Sequence, residues 1–338
     1  MRSLSQSVIA RSIIVILLFS VLTPILLYNE NVAEEESEQL EQLDLLSVSG
    51  RATANHFLAD AGGSGFEYAS VMAGFGDGNI VAGEFGNAAT FGQSTISPTS
   101  PYHASCAQIL GRYCEFFLAS VSDTGSWNWV TTGDHSNGYS FVSDVGAGMG
   151  GEAVIGGFFS GSVQFGIQTV TSQAGDGYLA KTDPFGNFMW AHSHATTGTN
   201  NNTSSVDAVE LDMNGDIIIA GQFDGNTDFG GTSINAVAPT LYVAKYDGNN
   251  GQLIWVVSGA SGNTGVLDLH TSMTGEIILA GLNQNAITFG QQLYANVGVA
   301  DSFLLELDTN GAIVTLVGYG VPNEVVILTG ITEDMNGK

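Results

Sequence analysis

Basic residues are scarce in this chain of 338 residues. Seven Lys and Arg stand against 33 Asp and Glu, for a formal charge of −26. That balance argues against a nucleic-acid partner, because phosphate binding needs clustered cationic side chains. It suits an acidic surface that keeps the protein dissolved in salt and attracts cations only diffusely. Charged residues of both signs make up only 12% of the chain, about half the share in an average soluble domain. The familiar catalytic and phosphate-binding signatures are missing too. There is no Gly-x-Ser-x-Gly, no His-Glu-x-x-His, no Cys-x-x-Cys and no phosphate loop. No catalytic residue can be nominated from a local motif, although distant residues can still assemble a site.

Glycine, by contrast, is abundant at 45 residues. Together with the low charge, it fits many short strands joined by tight turns better than it fits helices. The N-terminal stretch is different. Arg2 and Arg11 precede an apolar run from Ile13 to Tyr28, and acidic residues follow from Glu34. The run of 16 residues is longer than an ordinary signal core and shorter than an ordinary span of about 20. Residues 1–33 therefore read as a helical signal peptide or an uncleaved anchor, and 34–54 as an acidic linker. The charge asymmetry places the remainder, 55–338, outside the cytoplasm.

That remainder is a tandem repeat. "NIVAGEFGNAATFG" (79–92), "AVIGGFFSGSVQFG" (153–166), "IIIAGQFDGNTDFG" (217–230) and "IILAGLNQNAITFG" (277–290) share one phrase. Its fixed points are Gly83, Gly157, Gly221 and Gly281, each eight residues before Phe91, Phe165, Phe229 and Phe289. A second phrase carries Phe117, Tyr178, Tyr242 and Phe303, then a turn glycine, then Trp129, Trp190 and Trp255, with Thr315 in the fourth copy. The Phe-Gly motifs are 74, 64 and 60 residues apart.

Continuous apolar runs such as "DIIIAGQF" predict strands covered on both faces, and "YVAKYD" predicts a half-buried one. Asp-x-x-Gly segments predict hairpin turns. The aromatic columns predict core between sheets, and the Ala-Gly pairs a close approach where neighbouring sheets converge. One small antiparallel sheet per repeat makes a β-propeller the most economical all-β architecture.

The cycle "D-x-x-G…AG-x-F…FG…F/Y-V-A-K-x-D-x-x-G…W" resembles the SBBP-type, seven-bladed-propeller-like repeat proteins of bacteria and marine archaea. The likeness extends over roughly 55–338. It implies a secreted or surface scaffold and brings no catalytic residue with it. The fourth copy departs from the pattern by losing its tryptophan.

Both ends look partial. "VVILTGITEDMNG" (325–337) matches "SVDAVELDMNG" (205–215), so a fifth repeat opens just before Lys338. "HFLADAGG" (56–63) follows Phe57, which stands in the tryptophan position. It reads as a strand that closes a ring by pairing with the last blade. The expectation is about four blades plus the start of a fifth, in a fragment of a longer product.

Several positions are candidates for binding. The first repeat carries an insertion with Cys106 and Cys114, which outside the cytoplasm fit a disulfide staple, a free pair or a metal site. Beside them lie Tyr102, His103, Arg112 and Tyr113, candidates for ligand contact on a stapled loop. Asp212, Asn214 and Asp216 alternate as in the opening of a calcium loop, or as in a plain hairpin turn. His192 and His194 lie two apart on a strand without an evident third ligand. Overlapping sequons at Asn201 and Asn202 mark an exposed loop. No other cofactor is indicated.

Three functions are compatible with these residues. One is a non-catalytic scaffold at the cell surface, anchored in the membrane by its N-terminus, that binds or adheres to a glycan or protein. Another is a secreted enzyme acting on polysaccharide, which would need inward-facing carboxylates, and the repeat shows none at a constant position. The last is a structural domain of a longer surface protein.

Overall fold

The computed structural model describes residues 12–16, 58–63, 67–100, 115–197, 203–259, 264–328 and 330–332. Every regular element among them is a strand. The chain starts with β1 (Ser12–Ile16) and β2 (Leu58–Gly63), followed by β3 (Glu67–Phe75), β4 (Gly78–Phe85), the hairpin β5 (Ala89–Phe91) and β6 (Ser94–Ile96), then β7 (Glu115–Ser122) and β8 (Trp127–Thr131). Strands β3-β4-β7-β8 form a four-stranded antiparallel sheet, the first blade. The second blade is β9 (Asp134–Ala147), β10 (Ala153–Phe165), β11 (Gln168–Thr182) and β12 (Phe188–His194).

The third blade holds β13 (Thr196–Thr197), β14 (Ala208–Leu211), β15 (Ile217–Asp228), β16 (Ser233–Tyr246) and β17 (Leu253–Ser258). The fourth is β18 (Thr264–Thr271), β19 (Ile277–Asn283), β22 (Asp301–Leu307) and β23 (Ile313–Tyr319), with the hairpin β20 (Ile287–Phe289) and β21 (Gln292–Tyr294) between its second and third strands. First strands adjoin from blade to blade, β3 to β9, β9 to β14 and β14 to β18. Tandem meanders that converge on their first strands are the arrangement of a β-propeller.

The repeat phrases acquire a register. Gly83, Gly157, Gly221 and Gly281 sit opposite Phe117, Tyr178, Tyr242 and Phe303. All four of these rings are buried, as are Phe91, Phe165, Phe229 and Phe289. Phe91 lies 4.9 Å from Phe117 and Phe229 lies 4.7 Å from Tyr242.

The glycines serve a purpose other than the expected convergence of sheets. In blades one and two the first strand bulges beside the glycine, and an added Cβ would stand 1.9 Å from the Tyr68 carbonyl oxygen at Gly83 and 2.0 Å from that of Phe141 at Gly157. The close approach is therefore within one sheet, where a bulge drives a carbonyl towards its neighbour.

The tryptophans link blades. Trp129 donates its indole N–H to Pro184 O at 2.8 Å, and its ring covers Gly186 in the turn between the third and fourth strands of the next blade. Trp255 reaches Thr309 O and Gly311 in the same way, and Trp190 covers Gly251. Thr315 replaces the clamp in the fourth blade.

Two expectations are corrected. Ser12–Ile16 is an extended strand paired with Leu58–Gly62, in keeping with its run of β-branched residues, where a helix was expected. The rest of residues 1–33 and the linker 34–54 lie outside the described residues. No helix among the described residues is long and apolar enough to cross a membrane.

The second correction concerns ring closure. β2 pairs with β5 in the first blade, with Ala61 opposite Phe91, and does not pair with the fourth. The same path recurs where Asp134 meets Gln164 and Thr196 meets Thr227. After each tryptophan position the chain first lines the outer hairpin of the next blade, then continues as that blade's first strand.

Beyond the fourth blade, the amide of Ile331 donates to Asp268 Oδ2 at 2.7 Å, as that of Val209 donates to Asp144 Oδ2 at 2.8 Å. The matching register is the one the repeated "DMNG" requires.

Candidate functional site

The candidate calcium residues form a turn that already has a cation. Asp212 Oδ1 accepts the amides of Asn214 and Asp216, and Lys245 Nζ lies 2.7 Å from Asp212 Oδ2 and 3.2 Å from Asp216 Oδ2. Burial alone would raise the Asp212 carboxyl. Lys245 and the two amides outweigh it and hold the group below the ordinary carboxylate range. An ammonium standing against both carboxylates fills the place a calcium ion would take. Asn214 contributes its backbone amide to this turn.

His192 and His194 do not converge on a ligand. The His192 ring stacks on Trp190 at 5.2 Å. His194 is sealed between Tyr242 and Tyr246, whose hydroxyls lie 3.1 and 3.0 Å from its two ring nitrogens. Desolvation drives its pKa down to about 3, so the ring is neutral. Tyr242 donates to Ser205 O, leaving Nδ1–H to donate to Tyr242 and Nε2 to accept from Tyr246. This network stitches the second blade to the third.

A Ser–His–Glu alignment lies at the base of the insertion. His135 Nε2 is 2.7 Å from Ser140 Oγ, and its Nδ1 is 3.4 Å from Glu115 Oε2 and 2.9 Å from Gly133 O. All three side chains are fully buried. Glu115 also accepts the amides of Thr99 and Ser100. Burial would raise the Glu115 carboxyl, but hydrogen bonds from His135, Ser100 and Thr99 hold it low. A nucleophile needs room for an incoming carbonyl, and this serine has none. The trio fastens the two ends of the insertion together. Cys106, Cys114, Tyr102, His103, Arg112 and Tyr113 within it lie outside the described residues, as do Asn201 and Asn202.

Carboxylates on the first strands were not foreseen. Asp144 on β9 and Asp268 on β18 occupy the same place after the bulge, each accepting the amide of the following residue. Asp207 and Glu210 belong to the corresponding stretch of blade three. Desolvation raises the Asp144 pKa to about 6, and desolvation with the charges of Asp144 and Asp268 raises Glu210 to about 7. Asp207 is also raised, chiefly by burial. "VSDV" and "VLDL" carried this signal, but the shifted aspartate of "SVDA" disguised it. Among the described residues, no group of three or more His, Cys, Asp or Glu could hold a metal ion.

These shifts set a pH dependence. Unfolded carboxyls titrate near pH 4, so between there and about pH 7 the folded chain binds more protons than the unfolded one. The stabilisation is complete below the unfolded pKa and lost as pH rises through the folded values. Raising the pH from 5 to 8 is expected to lower the melting temperature by a few degrees, and Glu210→Gln to shrink that drop. Thermal denaturation of both proteins checks this, and an equal drop in the variant would discard it.

A shallow groove of about 260 Å³ lies between Phe158 of blade two and Thr203–Ser205, Gln222–Asp224 and Pro239 of blade three. Its one carboxylate, Asp224, accepts the amide of Thr203.

No family model matches the chain, and no curated protein matches it. Solved structures show loose likeness. The extracellular domain of the one-component system BT4673 from B. thetaiotaomicron aligns at 10% identity and TM-score 0.32, over 68% of this chain and 22% of that one. The Dos1 propeller aligns at 8% and 0.36, over 77% and 63%, and a europium-containing methanol dehydrogenase at 9% and 0.28, over 75% and 73%. The chain thus covers less than two thirds of the first two. The propeller assignment rests on this chain's own sheets.

Proposed function

We propose that this protein is a non-catalytic, extracytoplasmic scaffold of the SBBP type, held at the cell surface by its N-terminal segment, that binds a glycan or protein. One observation carries the reading. Where nucleophilic and ionisable side chains meet, they are spent on the scaffold: Ser140–His135–Glu115 on the insertion base, His194–Tyr242–Tyr246 on a blade junction, and Lys245–Asp212–Asp216 on a turn. Rigid blades joined by such contacts present their turns as fixed surfaces.

A polysaccharide-cleaving reading draws on Glu210, half-buried and holding a proton near neutrality as a general acid must. One experiment separates the two. The full chain is applied to arrayed bacterial and host glycans and to soluble polysaccharides, with products followed by mass spectrometry. Retention without cleavage supports the scaffold. Cleavage that Glu210→Gln abolishes would replace it with the enzyme.

A further inference from the structure

The hairpins joining first and second strands share an unusual tip. Met149, Met213 and Met273 occupy the same place in blades two, three and four, with relative exposures of 86%, 69% and 59%. Each turn closes alike, the glycine amide returning to the first residue's carbonyl oxygen at 2.9 Å: Gly151 to Gly148, Gly215 to Asp212, Gly275 to Ser272. The turn does not require methionine. The hairpins between third and fourth strands close the same way, Gly125 to Ser122, Gly186 to Asp183 and Gly311 to Asp308, and put Asp123, Pro184 and Thr309 in that place. Exposing a long apolar side chain at three matching tips gains nothing for the fold.

Acid accompanies the row. Glu152, Asp216 and Glu276 each follow their methionine by three residues, and Asp123, Asp183, Asp247 and Asp308 mark the companion turns at the same end of the blades. Glu276 is held ionised by hydrogen bonds from Ser272 and Thr274. The two lysines near these turns bring little free charge. Lys181 is buried and donates to Gly248 O, and Lys245 is paired with Asp212 and Asp216.

We propose that Met149, Met213 and Met273 form a docking strip for a cationic, amphipathic polypeptide segment, which rests on the binding-scaffold reading above. Flexible, polarisable thioethers adapt to varied apolar side chains. The acidic surround attracts Lys and Arg and speeds their encounter. Like charge disfavours anionic lipid and nucleic acid as occupants.

The test uses the full chain and a synthetic fourteen-residue Leu/Lys amphipathic peptide, with a Leu/Glu peptide as control, followed by fluorescence anisotropy at low and high salt. The wild type is expected to bind the Leu/Lys peptide, more weakly in high salt, and to ignore the Leu/Glu peptide. The triple variant Met149→Gln/Met213→Gln/Met273→Gln, with unchanged circular dichroism, is expected to bind at least tenfold more weakly. Equal binding by wild type and triple variant would overturn the strip while leaving the scaffold reading intact. Binding of the Leu/Glu peptide in place of Leu/Lys would overturn the charge argument. Failure to retain any peptide or arrayed glycan would remove both readings.

Discussion

Gly157→Ala is expected to destabilise the fold by about 3 kcal/mol or more, a fall in melting temperature of roughly 6–12 °C. The added methyl would stand 2.0 Å from the Phe141 carbonyl oxygen, and the Tyr178 ring closes the other side at 3.0 Å. Neither can yield. Phe141 belongs to the paired strand, and Tyr178 is buried against Phe165 at 5.2 Å. A backbone shift would break the ladder on both sides of Gly157. Gly265→Ala is the matched control, since nothing lies within 4 Å of its added Cβ. It is expected to leave the melting temperature within about 2 °C. Thermal denaturation of the two variants decides the matter, and similar losses in both would show that the column glycines are not set by the bulge.

Glu115→Ala should cost a comparable amount, about 3–5 kcal/mol, as removal of one partner from a buried polar network does. The carboxylate accepts from the amides of Thr99 and Ser100 and faces His135 at 3.4 Å. Without it these donors are buried unpaired. Its loss should also change the acid limb of the stability curve. A group held below its unfolded pKa stabilises above that pKa, and the contribution disappears as pH falls through the folded value. Urea titrations at pH 7 and pH 4 are the measurement, with the gap between wild type and variant expected to narrow at pH 4. A constant gap would assign the effect to packing alone.

The sequence made the period and the aromatic columns legible because the same geometric demand recurs in each copy. Phe91, Phe165, Phe229 and Phe289 are all buried, and a side chain meeting one environment four times stays recognisable. The reason for the Ala-Gly pairs was harder to read. It depends on a bulge in a neighbouring strand, 15 or more residues away in sequence. Lys245 lies 33 residues from Asp212, so no local pattern could show that the aspartates already have a cation. The methionine row was present at a fixed offset from the turn glycine. It passed unnoticed because the surrounding Asp and Asn gave the turn a sufficient explanation.

The tryptophan contacts point one way along the chain. Trp129, Trp190 and Trp255 each reach forward to a turn some 55 to 60 residues further on. During synthesis, a finished blade therefore offers the emerging one a prepared seat, with a ring face for its glycine. Growth is templated from the N-terminal side, and each unit acts as a chaperone for its successor. Vectorial synthesis is thus built into a column of side chains.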